Sequence, residues 1–270
     1  MCKKGVRHPS TLRYSCGRWQ PARYQERVAL GLPRTIAVDG PAGSGKSSVS
    51  FAVAQRLGYL FVDTGAFYRA ITLLALRQGI DPADAERVAA LARATEIDLS
   101  GDLRDDGRQY TLLVNGEDVT WQIHSPEVDA HVSAIAANPG VRQAMLAAQR
   151  ALATRGGVIM AGRDIGTVVL PDADLKIYID AALEQRAERR YKQRLQAGEE
   201  ADLAAIYEGL RQRDMTDSQR EVAPLLRAPD AIYLDTTSLS LDEAIEAAYE
   251  IVLAWARQHQ HPSEDRGTVP

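Results

Sequence analysis

The feature that most constrains this chain is a glycine-rich stretch, Gly40-Pro41-Ala42-Gly43-Ser44-Gly45-Lys46-Ser47. It matches G-x-x-x-x-G-K-[ST], the phosphate-binding P-loop. A short β-branched apolar run, Thr35 to Val38, stands before it and predicts a buried strand. After it, Ser48 to Leu57 carries apolar residues at helical spacing. The sequence therefore predicts a strand, a phosphate-binding turn and a helix N-terminus in succession.

The chemistry of the loop residues predicts what they bind. The first N–H groups of a helix lack intrahelical partners and carry the positive end of its dipole. Glycines allow such a loop to curve around phosphate oxygens. We expect Lys46 to reach the β- and γ-phosphates and the Ser47 hydroxyl to bind Mg²⁺. The residues predicted to bind ATP are Gly40, Pro41, Ala42, Gly43, Ser44, Gly45, Lys46, Ser47 and Ser48.

Composition excludes several classes of protein. The 270 residues carry a net charge of −4, so no overall positive field attracts nucleic acid. No apolar run approaches the roughly 20 residues that a membrane-spanning helix needs, and the basic N-terminus has no apolar segment typical of a secretory signal. Both cysteines, Cys2 and Cys16, precede the predicted domain and indicate no disulfide framework. We therefore expect a cytoplasmic protein that contacts neither nucleic acid nor membrane.

The chain is predicted to form one α/β domain between two extensions. Residues 1–33 are polar and aperiodic, and predict either a flexible arm or an over-extended reading frame, with a targeting or docking arm as the alternative. Residues 34–257 form the predicted domain, and residues 258–270 a disordered tail. Within the domain, short strands and an Asn115-Gly116 turn indicate an antiparallel β insertion at about residues 95–123.

Many arginines follow predicted strands or share helix faces. Arg163 and Asp164 come directly after a buried strand, where unpaired charges are costly. Arg186 and Arg190 lie four residues apart on one helix face, as do Arg213 and Asp217 on a later helix. Each set also fits ordinary surface ion pairing. Beside a P-loop, however, so many guanidiniums favour a second anionic substrate, because two phosphorylated molecules repel each other and arginine offsets that repulsion.

Four segments together resemble one family. They are the P-loop, Asp63-Thr64-Gly65-Ala66-Phe67-Tyr68-Arg69, Gly162-Arg163-Asp164-Ile165-Gly166-Thr167-Val168-Val169, and the stretch from Arg213-Asp214 through Val222-Ala223-Pro224-Leu225. In this combination the chain, from about Pro33 to Arg257, is similar to bacterial cytidylate kinase. That resemblance implies a three-layer P-loop kinase fold with a parallel sheet, a monophosphate-binding part enlarged by the β insertion, and a mobile helical lid at about residues 191–203. It also implies a monomer that transfers the γ-phosphoryl of ATP, with Mg²⁺, to CMP or dCMP.

The resemblance further implies individual roles. Ser133, Arg142 and Asp164 are expected at the cytosine ring, and Arg213 and Asp217 at the sugar hydroxyls. The acceptor phosphate is expected among Thr64, Arg69, Arg163 and Arg220. Lys46, Arg163, Arg186 and Arg190 are the residues expected to act on the transferring phosphoryl.

One position departs from the pattern, since Ala161 stands where the family usually has an acid. If that acid orients Arg163 or a Mg²⁺-bound water in the family, another residue must do so here. A second protein ligand for Mg²⁺ is also not evident, and Asp63 is the nearest acid that could act, through a water molecule.

Two alternatives stay open from the sequence. One is a kinase for another monophosphate, such as AMP or UMP. The other is a regulatory P-loop NTPase, although the guanine-specificity motif N-K-x-D is absent from the chain.

Overall fold

A computed structural model of the protein describes residues 31–101 and 103–259. The predicted arm at residues 1–33 falls almost entirely outside this range, together with both cysteines. The predicted tail does so from residue 260 onward. The nature of residues 1–33, whether a flexible arm, an over-extended reading frame or a targeting or docking arm, therefore stays a prediction.

Five parallel strands form the centre of the fold, in the spatial order β2-β6-β1-β7-β8. The strands are β1 (Thr35–Asp39), β2 (Leu60–Asp63), β6 (Val158–Gly162), β7 (Leu175–Asp180) and β8 (Ile232–Asp235). All five residues of β6 and four of the five in β1 are buried. A strand buried on both faces needs helices on both sides of the sheet, which is the arrangement that the βα sequence pattern predicts.

The helices are α1 (Lys46–Leu57), α2 (Gly65–Arg77), α3 (Ala85–Ala94), α4 (Pro126–Ala137), α5 (Pro139–Ala153), α6 (Leu183–Gln196), α7 (Leu203–Gln219) and α8 (Leu241–His259). A 3₁₀ turn (Gln122–His124) and one π-helical turn (Ile165–Val169) complete them. Val49 and Val53 of α1 and Val252 of α8 meet Ile36 and Ile177 of the sheet around a small apolar cavity. The helices α1 and α8 thus share one face of the sheet.

The predicted β insertion is confirmed. β3 (Ile97–Ser100), β4 (Thr111–Val114) and β5 (Glu117–Asp118) form a separate antiparallel sheet. Asn115 and Gly116 connect β4 to β5 with φ angles of 50° and 85°. Positive φ at both central residues is what a two-residue hairpin turn requires, and asparagine and glycine adopt it most readily.

Three local predictions differ from the structure. The sequence pattern predicts a helix over Asp81 to Ala94, but α3 begins at Ala85, because the Asp84 carboxylate accepts a hydrogen bond from the Arg87 N–H and caps the helix there. α8 continues to His259, two residues into the predicted tail. The sequence also predicts that Thr64 caps the following helix, and Thr64 does stand at the N-cap of α2, but its hydroxyl makes no capping bond. It donates instead to the Ala161 carbonyl, 2.9 Å away, and so joins β2 to β6.

The predicted lid coincides with the junction of two long helices. α6 ends at Gln196 and α7 begins at Leu203, and the residues between them are almost all exposed. The Asp202 carboxylate accepts from the Ala204 N–H and starts α7. The geometry is that of a helical hairpin projecting from the sheet, and its movement stays a prediction.

Across residues 31–101 and 103–259, no helix combines the length and the apolar character needed to cross a membrane.

Gly162, at the end of β6, should not tolerate a side chain. A Cβ there would lie 2.5 Å from the Thr64 hydroxyl and 2.6 Å from Ile165, both of which are buried. We expect Gly162→Ala to lower the free energy of unfolding by about 1–3 kcal/mol, as other overpacked sites do. Urea unfolding of the purified protein would measure this.

The matched control is Gly209→Ala in α7, where an added Cβ meets nothing within 4 Å. Alanine is the better helix former, so this variant should gain up to about 1 kcal/mol. If both variants unfolded at the same urea concentration, the packing argument at Gly162 would be wrong.

Candidate active site

Three loops meet at the carboxyl end of the parallel sheet. In the strand register, Asp39 of β1 pairs with Gly162 of β6, and Asp63 of β2 pairs with Ala161. The P-loop, the Thr64 turn and the Arg163-Asp164 loop follow these three strand ends directly. Parallel α/β folds place their ligands at this end of the sheet. The structure thus brings together residues that are more than 100 positions apart in the chain.

The P-loop backbone has positive φ angles at all three of its glycines, Gly40, Gly43 and Gly45. Gly40 has a φ of 154°, and a Cβ there would lie 2.0 Å from the Ile179 carbonyl oxygen. Gly45, the N-cap of α1, has a left-handed conformation with a φ of 84°. Ser44 is fully buried, yet its hydroxyl has no hydrogen-bond partner. A buried hydroxyl without a partner at a helix N-terminus fits a loop built to bind an anion.

Lys46 is held inside the loop. Its ammonium donates to the Pro41 carbonyl at 2.9 Å, and only 8% of the residue is exposed. Burial lowers the pKa of Lys46 well below its usual value, and the positive charge of Arg163 lowers it further. A phosphate placed here would restore the charged form, because an opposite charge nearby stabilises the ammonium.

Ser47 and Asp63 come together, although they belong to different helix–strand units. The Ser47 hydroxyl donates to the Asp63 carboxylate at 3.0 Å. A hydroxyl oxygen and a carboxylate oxygen beside a phosphate loop are the ligand types that Mg²⁺ prefers. These residues therefore fit a magnesium site completed by phosphates and water, as the sequence predicted for Ser47.

Asp39 links the P-loop to the Arg163-Asp164 loop, and the sequence analysis did not single it out. Its buried carboxylate accepts from the N–H groups of Ile165 (2.7 Å) and Gly166 (2.8 Å). Burial raises the pKa of Asp39 to about 6, more than these two bonds lower it. The only sequence signal was an acid at the last position of a buried strand, directly before Gly40.

Asp164 and Arg142, two of the residues expected at the base, form a buried ion pair. Arg142 also donates to the Ala136 carbonyl of α4 and lies over the Tyr68 ring, 5.4 Å from its centre. Arg220 contacts the other Asp164 oxygen at 3.5 Å. The structure therefore places Arg220 beside Asp164. The third expected base residue, Ser133, is half-buried in α4, one turn before Ala136.

Arg163 is oriented by Asp217, which accepts from its Nε at 2.8 Å. Burial favours the neutral form of Asp217, but the charges of Arg163 and Arg213 outweigh it and lower its pKa. Ala161 is completely buried, and its carbonyl receives two bonds from Thr64. The carboxylate that orients Arg163 thus comes from α7.

Arg186 of α6 packs against the P-loop and is only 5% exposed. It donates to the Ala42 carbonyl at 2.9 Å and to the Asp214 carboxylate at 2.6 Å, and so ties α6 and α7 to the P-loop. The other Asp214 oxygen, Oδ1, is buried without a partner, as is Nε of Arg213. Unpaired buried polar atoms are rare in proteins, and the Arg213 Nε–H remains available as a hydrogen-bond donor.

Asp129 of α4 is a second acid that the sequence analysis missed. It is surrounded by the remaining arginines of the site, Arg69, Arg190 and Arg213. No sequence signal distinguishes Asp129 from a surface residue in the first turn of a helix.

The pKa of Asp39 makes a prediction about stability. In the folded protein this pKa is about 6, against 3.8 for an ordinary aspartate, so folding takes up a proton between these values. The contribution of Asp39 to stability is therefore lost as the pH rises through this range. Relative to Asp39→Asn, the wild type should lose about 2 kcal/mol of unfolding free energy between about pH 4.5 and pH 7.

Urea unfolding of both proteins across this range measures that difference. The comparison cancels the contribution of Asp129 and Asp217, whose pKa values are lowered and act in the opposite direction. Parallel pH profiles for the two proteins would show that Asp39 titrates normally.

Comparison with known proteins identifies the family. The cytidylate kinase family model matches residues 36–254. Cytidylate kinase of Geobacillus sp. (strain WCH70) is 48% identical over 217 residues, which are 80% of this chain and 95% of that protein. Cytidylate kinase of Symbiobacterium thermophilum is 51% identical over 211 residues, covering 78% of this chain and 92% of its own. The P-loop, the Arg163-Asp164 loop and the arginine-bearing helices all lie within the matched region, and the chain belongs to the cytidylate kinase family.

Proposed function

We propose that this protein transfers the γ-phosphoryl group of ATP to CMP or dCMP, giving ADP and CDP or dCDP. The observation that carries the proposal is the meeting of two anion-binding groups at one end of the sheet. The P-loop supplies one of them, and the arginines around Asp129, Asp164 and Asp217 supply the other. Family membership supports the same reaction.

The donor end is the P-loop. Residues 40–48 hold the triphosphate, with the N-terminus of α1 and the Lys46 ammonium facing the β- and γ-phosphates. Mg²⁺ bound near Ser47 and Asp63 would neutralise charge on these phosphates. A phosphate bound beside Lys46 stabilises its ammonium form, because an opposite charge nearby favours the charged state.

The acceptor end is the set of arginines opposite. Thr64, Arg69, Arg163 and Arg220 are assigned to the monophosphate, and Arg213 and Asp217 to the sugar hydroxyls. Phosphoryl transfer needs alignment and charge neutralisation more than covalent participation by the protein. Arginine meets both needs, because its planar group bonds two oxygens at once and keeps its charge.

Asp164, Arg142 and Ser133 are assigned to the cytosine ring. Cytosine presents an amino donor beside the N3 and O2 acceptors. The Asp164 carboxylate can accept from the amino group while the Arg142 guanidinium donates to the ring. Uracil would turn a carbonyl oxygen toward Asp164, and this repulsion disfavours UMP.

Arg186 and Arg190, both on α6, are assigned to the transferring phosphoryl. The hairpin of α6 and α7 is proposed to close over the two nucleotides and to exclude water that would otherwise accept the phosphoryl group. A monomer in the cytoplasm stays our prediction.

An acceptor panel tests the proposal. With ATP and Mg²⁺, CMP and dCMP should be phosphorylated far faster than UMP or AMP. Equal rates for CMP and UMP would contradict the base assignment, and rapid ATP hydrolysis independent of any monophosphate would favour a regulatory NTPase. ADP formation in a coupled assay measures all of these rates.

Asp164→Ala should lower kcat/KM for CMP by about tenfold to a hundredfold, which is the cost of losing a charged hydrogen bond. The loss should be smaller for UMP, so that the kcat/KM values for CMP and UMP become more similar. Glu246→Ala, which removes an exposed carboxylate paired with Arg56 far from the site, is the matched control and should leave both rates unchanged.

Closure of the lid predicts protection from proteolysis. The exposed junction at residues 196–202 should be cut readily in the free protein. A non-hydrolysable ATP analogue together with CMP should slow that cutting, and either ligand alone should slow it less. A rate of proteolysis at this junction that is the same with and without the two ligands would contradict lid closure.

A further inference from the structure

Asp129 joins arginines from three other helices. Its Oδ1 lies 2.5 Å from Nη2 of Arg69 on α2 and 4.0 Å from Nη1 of Arg213 on α7. Its Oδ2 lies 2.7 Å from Nη2 of Arg190 on α6. All three arginines belong to the groups assigned above to phosphate, phosphoryl or sugar. In the structure without ligands, one carboxylate therefore holds side chains that are proposed to bind substrate.

This cluster contains more positive than negative charge. Arg163 lies close enough to Arg213 to lower its pKa, and Arg163 is itself paired with Asp217. Four guanidiniums thus share two carboxylates. Burial, together with the charges of Arg163 and Arg69, lowers the pKa of Arg213 to about 10. Its Nε has no partner. The cluster can therefore accept further negative charge.

A carboxylate can substitute for part of a phosphate. It offers two oxygens to guanidinium groups, in the planar geometry that arginine recognises in phosphates. It has one negative charge, where a phosphate monoester has about two. A phosphate that enters the cluster offers the arginines more charge and one more oxygen than Asp129 does.

We propose that Asp129 is a positioning residue that takes the place of the acceptor phosphate in the empty protein. It gathers Arg69, Arg190 and Arg213 and releases them when the phosphate arrives. This inference rests on the proposed function, because it assumes that Arg69 binds the acceptor phosphate, with Arg190 at the transferring phosphoryl and Arg213 at the acceptor's sugar beside it. It assigns to Asp129 two opposed effects: the empty protein is stabilised, and phosphate binding is weakened by competition.

The two effects distinguish this role from that of an ordinary ion pair. A purely structural pair would lose stability on substitution and would bind phosphate less well, because the arginines would no longer be ordered. A carboxylate that competes with phosphate gives the opposite result for binding. Stability and phosphate affinity should therefore change in opposite directions.

The experiment uses Asp129→Asn in the full chain and inorganic phosphate as the probe, with ADP present to occupy the P-loop. Without phosphate, the variant should melt at a lower temperature than the wild type. Its dissociation constant for phosphate, measured by the rise in melting temperature or by calorimetry, should fall by about tenfold, as expected for removing one charged partner. KM for CMP should fall in parallel, while kcat should not rise.

Glu117→Gln is the matched control, since it removes an exposed carboxylate paired with Arg77 outside the site. It should leave phosphate affinity and KM unchanged. If the asparagine variant does not fold, Asp129→Ser removes the same charge with a smaller side chain and is tested in the same way.

Phosphate affinity that is unchanged or weaker in the Asp129 variant would overturn the inference. The phosphate measurement does not depend on turnover. If phosphate binds more tightly but CMP is not phosphorylated, the proposed function fails and the role of Asp129 stands. If CMP is phosphorylated normally and phosphate binding does not tighten, only the role of Asp129 fails.

Discussion

The site depends on how two neighbouring strand ends are held together. β1 ends at Asp39 and leads into the P-loop, and β6 pairs with it in register and leads into Arg163 and Asp164. The Asp39 carboxylate then bonds two N–H groups of the second loop. The P-loop and the Arg163-Asp164 loop are thus fixed to each other by one buried side chain. Its raised pKa reflects the free energy needed to keep that charge away from water.

The arginines of the site are paired with carboxylates in the absence of substrate. Asp164 holds Arg142 and Arg220, Asp217 holds Arg163, Asp214 holds Arg186, and Asp129 holds the rest. So many guanidiniums in one cleft would repel one another without these acids. Each carboxylate therefore offsets the repulsion between neighbouring guanidiniums.

Sequence reasoning succeeded where neighbouring residues along the chain form the motif. The P-loop and the β insertion were predicted from local patterns, and the family resemblance is confirmed by the comparisons. It missed Asp39 and Asp129, because a lone acid looks the same at a surface and in a site. It also assigned Thr64 to helix capping, because the sequence does not show that β6 lies beside Thr64. In the structure, the Thr64 hydroxyl donates to the Ala161 carbonyl of β6 instead.

The sequence by itself determined the phosphate loop, since a G-x-x-x-x-G-K-S motif between an apolar strand and a helix has few other structural solutions. It also determined the supply of arginines. Only the tertiary structure decided which acid pairs with which arginine, because those pairs join residues 22 to 84 positions apart and depend on how the helices pack. An ion pair forms where packing brings two charges within a few ångströms, and no local pattern in the chain encodes that distance.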